Sequence, residues 1–238
     1  MNSLTFGLSK YHKIVYKNVK LLVFDMAGTT VNEKGIVYQT LYDTIKNFGL
    51  NISQKEISKW HGSNKYEVLN HYLTNDSNVS LEIRNCLRDQ LYSNFDNNLK
   101  ERYFNSSNLE LIDPQLPELF QKIQKKNIKI ALNTGYSQEI QESIIRRLNM
   151  NEFIDDYISS EQVKIGRPYP YMIYNLMERN KIECVQSVMK FGDTQNDIYE
   201  GTNANCLASV GVLSGADNEE KLKGATHLLD NVMNIQTD

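Results

Sequence analysis

Lys20-Leu21-Leu22-Val23-Phe24-Asp25-Met26-Ala27-Gly28-Thr29-Thr30-Val31-Asn32 is the stretch whose reading decides the fold. Val19 to Phe24 is mostly apolar and partly β-branched, the pattern of a strand buried on both faces of a parallel sheet. The run stops at an acid, and small and hydroxyl residues suited to a tight turn follow it. In open α/β sheets ligands bind beyond the carboxyl ends of the strands, so an aspartate placed there faces a crevice rather than the core. Taken alone, Asp25 could equally cap a turn or a helix. Three later segments decide between these readings.

Around this stretch the chain alternates. Val37 to Phe48 repeats apolar groups at three- and four-residue steps and stops at Gly49. Ser53, with Glu56 three residues on, reads as a capping box opening a short helix through Trp60. Lys65 to Leu73 and Val79 to Leu99 read as two further helices, the second with Leu81, Cys86, Leu87, Leu91 and Phe95 along one side. From Leu111 the pattern returns to strand and helix in turn. Strands are expected at 128–133, 156–160, 187–191, 206–212 and 226–229, and helices at 117–126, 137–148, 168–180 and 197–203. Such alternation predicts parallel β/α units with right-handed crossovers. The expectation is therefore an α/β protein with a doubly wound parallel sheet and an inserted all-helical cap. Residues 1–34 and 110–238 would form the core and residues 35–109 the cap. Met1 to Tyr16 reads as an extra edge strand or a disordered lead-in, and the last helix as cut short at Asp238.

Composition narrows the function classes. With 238 residues the chain has room for one large domain or a core with an insertion. Its 26 basic and 29 acidic residues leave a net charge of −3 and form no basic stripe, which argues against nucleic acid as a partner. No apolar run is long enough to span a membrane. Cys86, Cys184 and Cys206 are far apart and have no metal-ligand spacing; an odd, sparse count fits a reducing cytoplasm.

The three later segments also lie at strand-helix junctions. Leu132-Asn133-Thr134-Gly135-Tyr136-Ser137 offers a hydroxyl and backbone N–H groups to an anion. Gly166-Arg167-Pro168 puts a guanidinium, able to bind phosphate as a fork, just before a helix that Pro168 is expected to start. Gly192-Asp193-Thr194-Gln195-Asn196-Asp197 ends a strand in an acid and places a second acid one helical turn later. Paired acids repel unless a cation lies between them, and Mg2+ suits an all-oxygen site.

In that order the four segments resemble the haloacid dehalogenase superfamily. Within it, Asp25-Met-Ala-Gly-Thr-Thr, Thr134-Gly-Tyr, Gly166-Arg-Pro-Tyr-Pro-Tyr-Met and Gly192-Asp-Thr-Gln-Asn-Asp-Ile-Tyr-Glu-Gly look like the phosphonatase branch, which holds phosphonoacetaldehyde hydrolase and related hydrolases. The resemblance implies that Asp25 attacks phosphorus and forms an aspartyl-phosphate. It implies Mg2+ held by Asp25, the Ala27 carbonyl and Asp193, with Asp197 steadying the metal's waters. Gly28, Thr29, Thr134 and Gly135 would bind the phosphoryl group, and Arg167 would offset its charge.

One acid is missing. Most phosphatases of the superfamily carry a second aspartate where this chain has Ala27. The phosphonatase branch shares the alanine, and its best-known member uses a cap lysine that forms an imine with its aldehyde substrate. Lys65 in Gly62-Ser-Asn-Lys65 matches that lysine, but the histidine found a few residues beyond it is replaced by Glu67 or Val68, while His61 precedes the glycine. Two roles stay open for Lys65: imine formation, or selection of an anionic substrate. The missing histidine puts a Mg2+-dependent hydrolase of a small phosphorylated or phosphonylated metabolite, acting on an ester, ahead of phosphonoacetaldehyde hydrolysis. A catalytically inactive binding protein is the non-enzymatic alternative, and a monomer or homodimer fits equally.

Overall fold

The structure is a computed structural model that describes residues 3–9, 12–75, 81–104 and 109–236. The chain starts with a hairpin of β1 (Ser3–Ser9) and β2 (His12–Lys17). The decisive stretch then forms β3 (Leu21–Asp25), every residue of it buried. Alternate side chains of a strand point to opposite faces, and the core divides accordingly. Leu22 and Phe24 join one cluster, where Phe24 stacks on Phe191 with ring centroids 4.6 Å apart. Leu21 and Val23 join the other, with Ile158, Met172 and Leu176.

After β3 the chain turns through β4 (Val31–Asn32) into four helices: α1 (Ile36–Asn47), α2 (Gln54–Ile57), α3 (Lys65–Asn75) and α4 (Leu81–Phe104). The capping box forms at the start of α2, where the Ser53 amide donates to Glu56 Oε2 at 2.8 Å. No strand interrupts the described residues between 36 and 104. In α4 the buried side is Leu91, Phe95, Leu99 and Tyr103, with Leu87 half-buried, while Cys86 is exposed. Four-residue spacing selects Leu87, and the neighbouring Cys86 sits about 100° around the helix. Val79 and Ser80, expected to open this helix, lie outside the described residues. The chain returns at β5 (Glu110–Leu111), which pairs antiparallel with β4, so both ends of the helical segment are rooted at one place.

The remainder alternates: α5 (Leu116–Gln124), β6 (Lys129–Thr134), α6 (Gln138–Arg147), β7 (Asp156–Ser159), α7 (Tyr171–Arg179), β8 (Val188–Gly192), α8 (Gln195–Asn203), β9 (Ala208–Val212), β10 (His227–Leu229) and β11 (Ile235–Gln236). Six strands form one parallel sheet in the order β10-β9-β8-β3-β6-β7. The sheet grows from β3 to one side through β6 and β7, then resumes on the other side with β8. This is the doubly wound arrangement, and its switch point lies between β3 and β8, where a crevice opens at the carboxyl ends.

Three expectations are corrected. The helix expected at Pro168 begins at Tyr171, because Tyr169 precedes Pro170 and a residue before proline is steered away from helical angles. No final helix forms in the described residues after Leu229; Val232–Asn234 make a single 3-10 turn and then β11. β11 pairs antiparallel with β1, so the N-terminal segment is no edge strand of the main sheet but part of a separate three-stranded sheet. Met1, Asn2 and Asp238 lie outside the described residues.

Candidate active site

Asp25 ends β3, Asp193 follows β8, and Asp197 lies in the first turn of α8, so the switch point brings all three together. One carboxylate oxygen from each lies within 4.8 Å of the others. All three are buried, and each is shaped by different neighbours. Asp193 accepts from the Ala216 amide at 2.7 Å and from the Thr29 hydroxyl at 3.4 Å. Burial and the nearby Asp25 carboxylate hold its carboxyl well above the usual range. Asp25 is also raised by burial, although Arg167 opposes the shift. Burial would raise Asp197 too, but Arg167 and Lys190 outweigh it and leave its carboxyl lowered.

Arg167 is the hub. Its Nη1 lies 2.7 Å from Asp25 Oδ1 and 2.9 Å from Asp197 Oδ1. Nη2 donates to the Asn133 carbonyl and to Asn133 Oδ1, both at 2.9 Å. Nε sits 3.2 Å from Glu200 Oε2, an ion-pair contact off the line of a hydrogen bond. These carboxylates hold the guanidinium above its already high range against the effect of burial.

Gly28 and Thr29, expected at the phosphoryl group, stand in the turn after β3. Their amides close the turn, Gly28 N donating to the Val31 carbonyl at 2.8 Å and Thr29 N to the Met26 carbonyl at 3.2 Å. Both amides are thus used within the turn. Gly28 instead allows a close approach: at φ 77° it suits glycine, and a Cβ there would run into Asp193 Oδ2. Thr134 ends β6, is buried, and its hydroxyl accepts from the Tyr136 amide at 3.3 Å. Gly135 lies under the loop before α3, close enough that a Cβ would meet the Ser63 carbonyl oxygen at 2.7 Å.

That loop, His61 to Asn64, is fastened to the core. Asn196 Nδ2 donates to the His61 carbonyl at 2.6 Å, Asn64 Nδ2 donates to Ser160 Oγ at 2.8 Å, and His61 Nδ1 is 2.8 Å from Asp217 Oδ1. Lys65 is thereby buried. Its Nζ donates to the Ser63 carbonyl at 2.8 Å and lies 5.0 Å from the centre of the Tyr38 ring. Burial lowers its pKa from 10.5 to about 8, with Asp25 the main opposing charge. Tyr38, Ala27, Gly28, Glu33 and Asp193 line a cavity of about 240 Å³. At position 27 the cavity wall is a methyl group with no proton to give. Glu33 is buried, accepts from the Val37 amide at 2.8 Å and from Tyr103 OH at 3.0 Å, and Tyr103 OH is 2.7 Å from Tyr136 OH. Both roots of the helical segment are thus tied to the loop after Thr134.

Lys190, Glu200, Asn133 and Asp217 were not singled out as functional by the sequence reading. Two signals were present. Lys190 is a lone charge within the apolar strand run Val-Met-Lys-Phe, and Glu200 falls three residues after Asp197, on the same helical face. Asp217 lies in the stretch between β9 and β10 and has no such pattern around it.

Buried carboxylates supply hard oxygen donors. Asp25, Asp193, Asp197 and Glu200 still outnumber the buried cations Arg167, Lys190 and Lys65, so the cluster's charge and donor chemistry both suit a divalent ion such as Mg2+. Among the described residues no helix is long and apolar enough to cross a membrane.

Comparison with known proteins agrees with this geometry. Residues 22–211 match the family of haloacid dehalogenase-like hydrolases. The chain is 28% identical over 224 residues to a phosphonoacetaldehyde hydrolase of Bacteroides fragilis, covering 90% of this chain and 83% of that one. It is also 28% identical over 218 residues to a bifunctional phosphonoacetaldehyde hydrolase/aminoethylphosphonate transaminase of Clostridioides difficile, spanning 86% of this chain but only 33% of that longer protein. Among solved structures, a phosphonoacetaldehyde hydrolase-like protein from Oleispira antarctica superposes with a TM-score of 0.74 at 22% identity, covering 95% of this chain and 93% of that one. A β-phosphoglucomutase from Clostridium difficile superposes with a TM-score of 0.71 at 20% identity, covering 90% and 91%. The match across most of the chain, on a doubly wound sheet with acids at its switch point, places this protein in the haloacid dehalogenase-like hydrolase family.

Proposed function

We propose that this protein is a Mg2+-dependent hydrolase that breaks the carbon–phosphorus bond of a small carbonyl phosphonate such as phosphonoacetaldehyde. The observation that carries this reading is Lys65: a buried amine with a pKa near 8, held by a carbonyl oxygen rather than a carboxylate, in a site without an acid at position 27. The names of the relatives at 28% identity support the same substrate class. In this reading residues 35–109 act as a cap that shields the site, with its loop at His61 to Asn64 closing over the core.

Asp25, the Ala27 carbonyl and Asp193 would hold Mg2+, with Asp197 alongside. When bound, the ion supplies the positive charge that lets a carboxylate approach a phosphoryl dianion. The chain's own residues do the rest. Lys65 condenses with the substrate aldehyde, releasing water and leaving an iminium. Thr134 and Arg167 orient the phosphoryl group, Arg167 exchanging its bond to Asp25 for bonds to phosphoryl oxygens. Asp25 attacks phosphorus. The C–P bonding pair flows into the iminium to give an enamine, so no proton is needed from position 27. The enamine carbon then takes a proton, and water frees the aldehyde from Lys65 and the phosphate from Asp25.

A second reading, hydrolysis of a phosphate ester with Lys65 selecting an anionic substrate, draws on Val68 and Glu67, which stand where the branch carries its histidine. The sequence alone ranks the ester first; the burial and lowered pKa of Lys65 are what support placing the phosphonate ahead of it here. The test is turnover of phosphonoacetaldehyde beside a panel of phosphate esters, with and without Mg2+. Orthophosphate release from the phosphonate at a kcat/KM at least about tenfold above any ester is expected. Turnover of esters alone would establish the second reading, and no turnover of any compound would point to a binding protein.

A further inference from the structure

We infer that Lys190 is the fixed counter-ion of this site, a positioning residue that keeps Asp197 neutralised while Arg167 moves from Asp25 to the phosphoryl group. The inference rests on the phosphoryl-transfer reading above and deepens it.

Lys190 lies in the middle of β8 and its side chain is fully buried. A charge in that position is costly unless it is paired and fully hydrogen-bonded. Lys190 is both. Its Nζ donates to Asp197 Oδ1 at 2.7 Å, to Asn133 Oδ1 at 2.9 Å and to the Phe191 carbonyl at 3.1 Å, with Glu200 Oε2 at 3.6 Å. An ammonium has three donors, so this one is saturated and has none to offer a substrate. The fold makes room for it: a Cβ on Gly201 of α8 would come within 2.8 Å of Lys190 Cβ.

Arg167 meets the same Asp197 oxygen from the other side, at 2.9 Å. Asp197 Oδ1 therefore holds two cations in the resting site, while its Oδ2 is taken by the Thr194 hydroxyl. The two cations differ in freedom. Lys190 is held on every donor. Arg167 is anchored at Nη2 by Asn133, has Glu200 beside Nε as an ion-pair partner, and bridges Asp25 and Asp197 through Nη1. The Asp25 oxygen that Nη1 occupies becomes free to attack phosphorus when an incoming phosphoryl dianion draws Nη1 away. Asp197 then keeps Lys190 and stays paired. Without Lys190, Asp197 would hold Arg167 as its only cation, and the guanidinium would resist release.

The test uses Lys190→Met, which keeps length and removes charge, together with Lys190→Met/Glu200→Gln, in which one charge of each sign is lost. Calorimetry titrates Mg2+ alone, then orthophosphate with Mg2+ present. Lys190→Met should bind orthophosphate at least about tenfold more weakly than wild type while Mg2+ affinity is kept or raised, because the cluster has become more negative. The double variant should recover thermal stability, since replacing a buried pair by neutral groups is tolerated, but not orthophosphate affinity. Orthophosphate binding by either variant within about threefold of wild type would overturn the inference and leave the phosphoryl reading standing. A wild-type protein that binds neither Mg2+ nor orthophosphate would overturn the phosphoryl reading itself, and this inference with it.

Discussion

Lys65→Arg separates imine chemistry from simple attraction of an anion, because it keeps the charge and removes the nucleophile. The size of the effect follows from burial. Lowering the lysine from 10.5 to about 8 disfavours the ammonium by about 3 kcal/mol. At pH 7 the neutral fraction then rises from about 0.03% to about 9%, a gain of about 300-fold in attacking amine. Arginine has no neutral form in this range. Lys65→Arg should therefore lose at least about a thousandfold in kcat/KM on phosphonoacetaldehyde. In wild type, borohydride added with that substrate should leave a reduced adduct, located on Lys65 by peptide mass. The trapping rate should rise with pH through about 8 and then level off, since deprotonation supplies the amine. The reasoning fails if wild type gives no adduct, or if Lys65→Arg keeps more than about a tenth of the activity.

Other outcomes follow from the same site. Asp25→Asn should reduce turnover below about one part in a thousand while melting stays within about 5 °C of wild type; substantial residual turnover would remove Asp25 as the nucleophile. Asp193 and Asp25 titrate above their ordinary value of 3.8 in the fold. Their contribution to stability is thus full below that value and lost as pH rises through the raised values. Without divalent cation, raising the pH above that ordinary value should lower stability through these two groups, and Mg2+ should raise the melting temperature more at higher pH than at lower. A Mg2+ stabilisation that grows towards acid pH would contradict the placement of the ion. Tyr103→Phe leaves buried Glu33 without its 3.0 Å phenol donor and should cost about 1–3 kcal/mol in urea unfolding; a change below about 0.5 kcal/mol would show that the bond contributes little.

Much of this was legible in the residues. Strands buried on both faces read as continuous apolar runs, and Asp25 and Asp193 stand out because each interrupts such a run where a strand must end. The order of four junction segments was enough for the fold and the family. The helical segment was legible by its periodicity, and its capping box formed as read at Ser53 and Glu56.

What the chain alone could not settle depends on contacts between residues far apart in it. Short strands such as β11 carry no periodicity, so their pairing with β1 is decided by what packs nearby. The turn bonds of the Gly28 and Thr29 amides follow from the path of one turn rather than from residue type. Lys190 and Arg167 share Asn133, Asp197 and Glu200 only because β6 and β8 flank β3. Lys65 is an ordinary surface-type residue until the loop before it closes on the core, and only that burial lowers its pKa to about 8. Residue type and spacing thus determined where the acids stand at the strand ends. Tertiary structure decided which charges share a dry site, because desolvation and pairing depend on neighbours that the order of residues does not name.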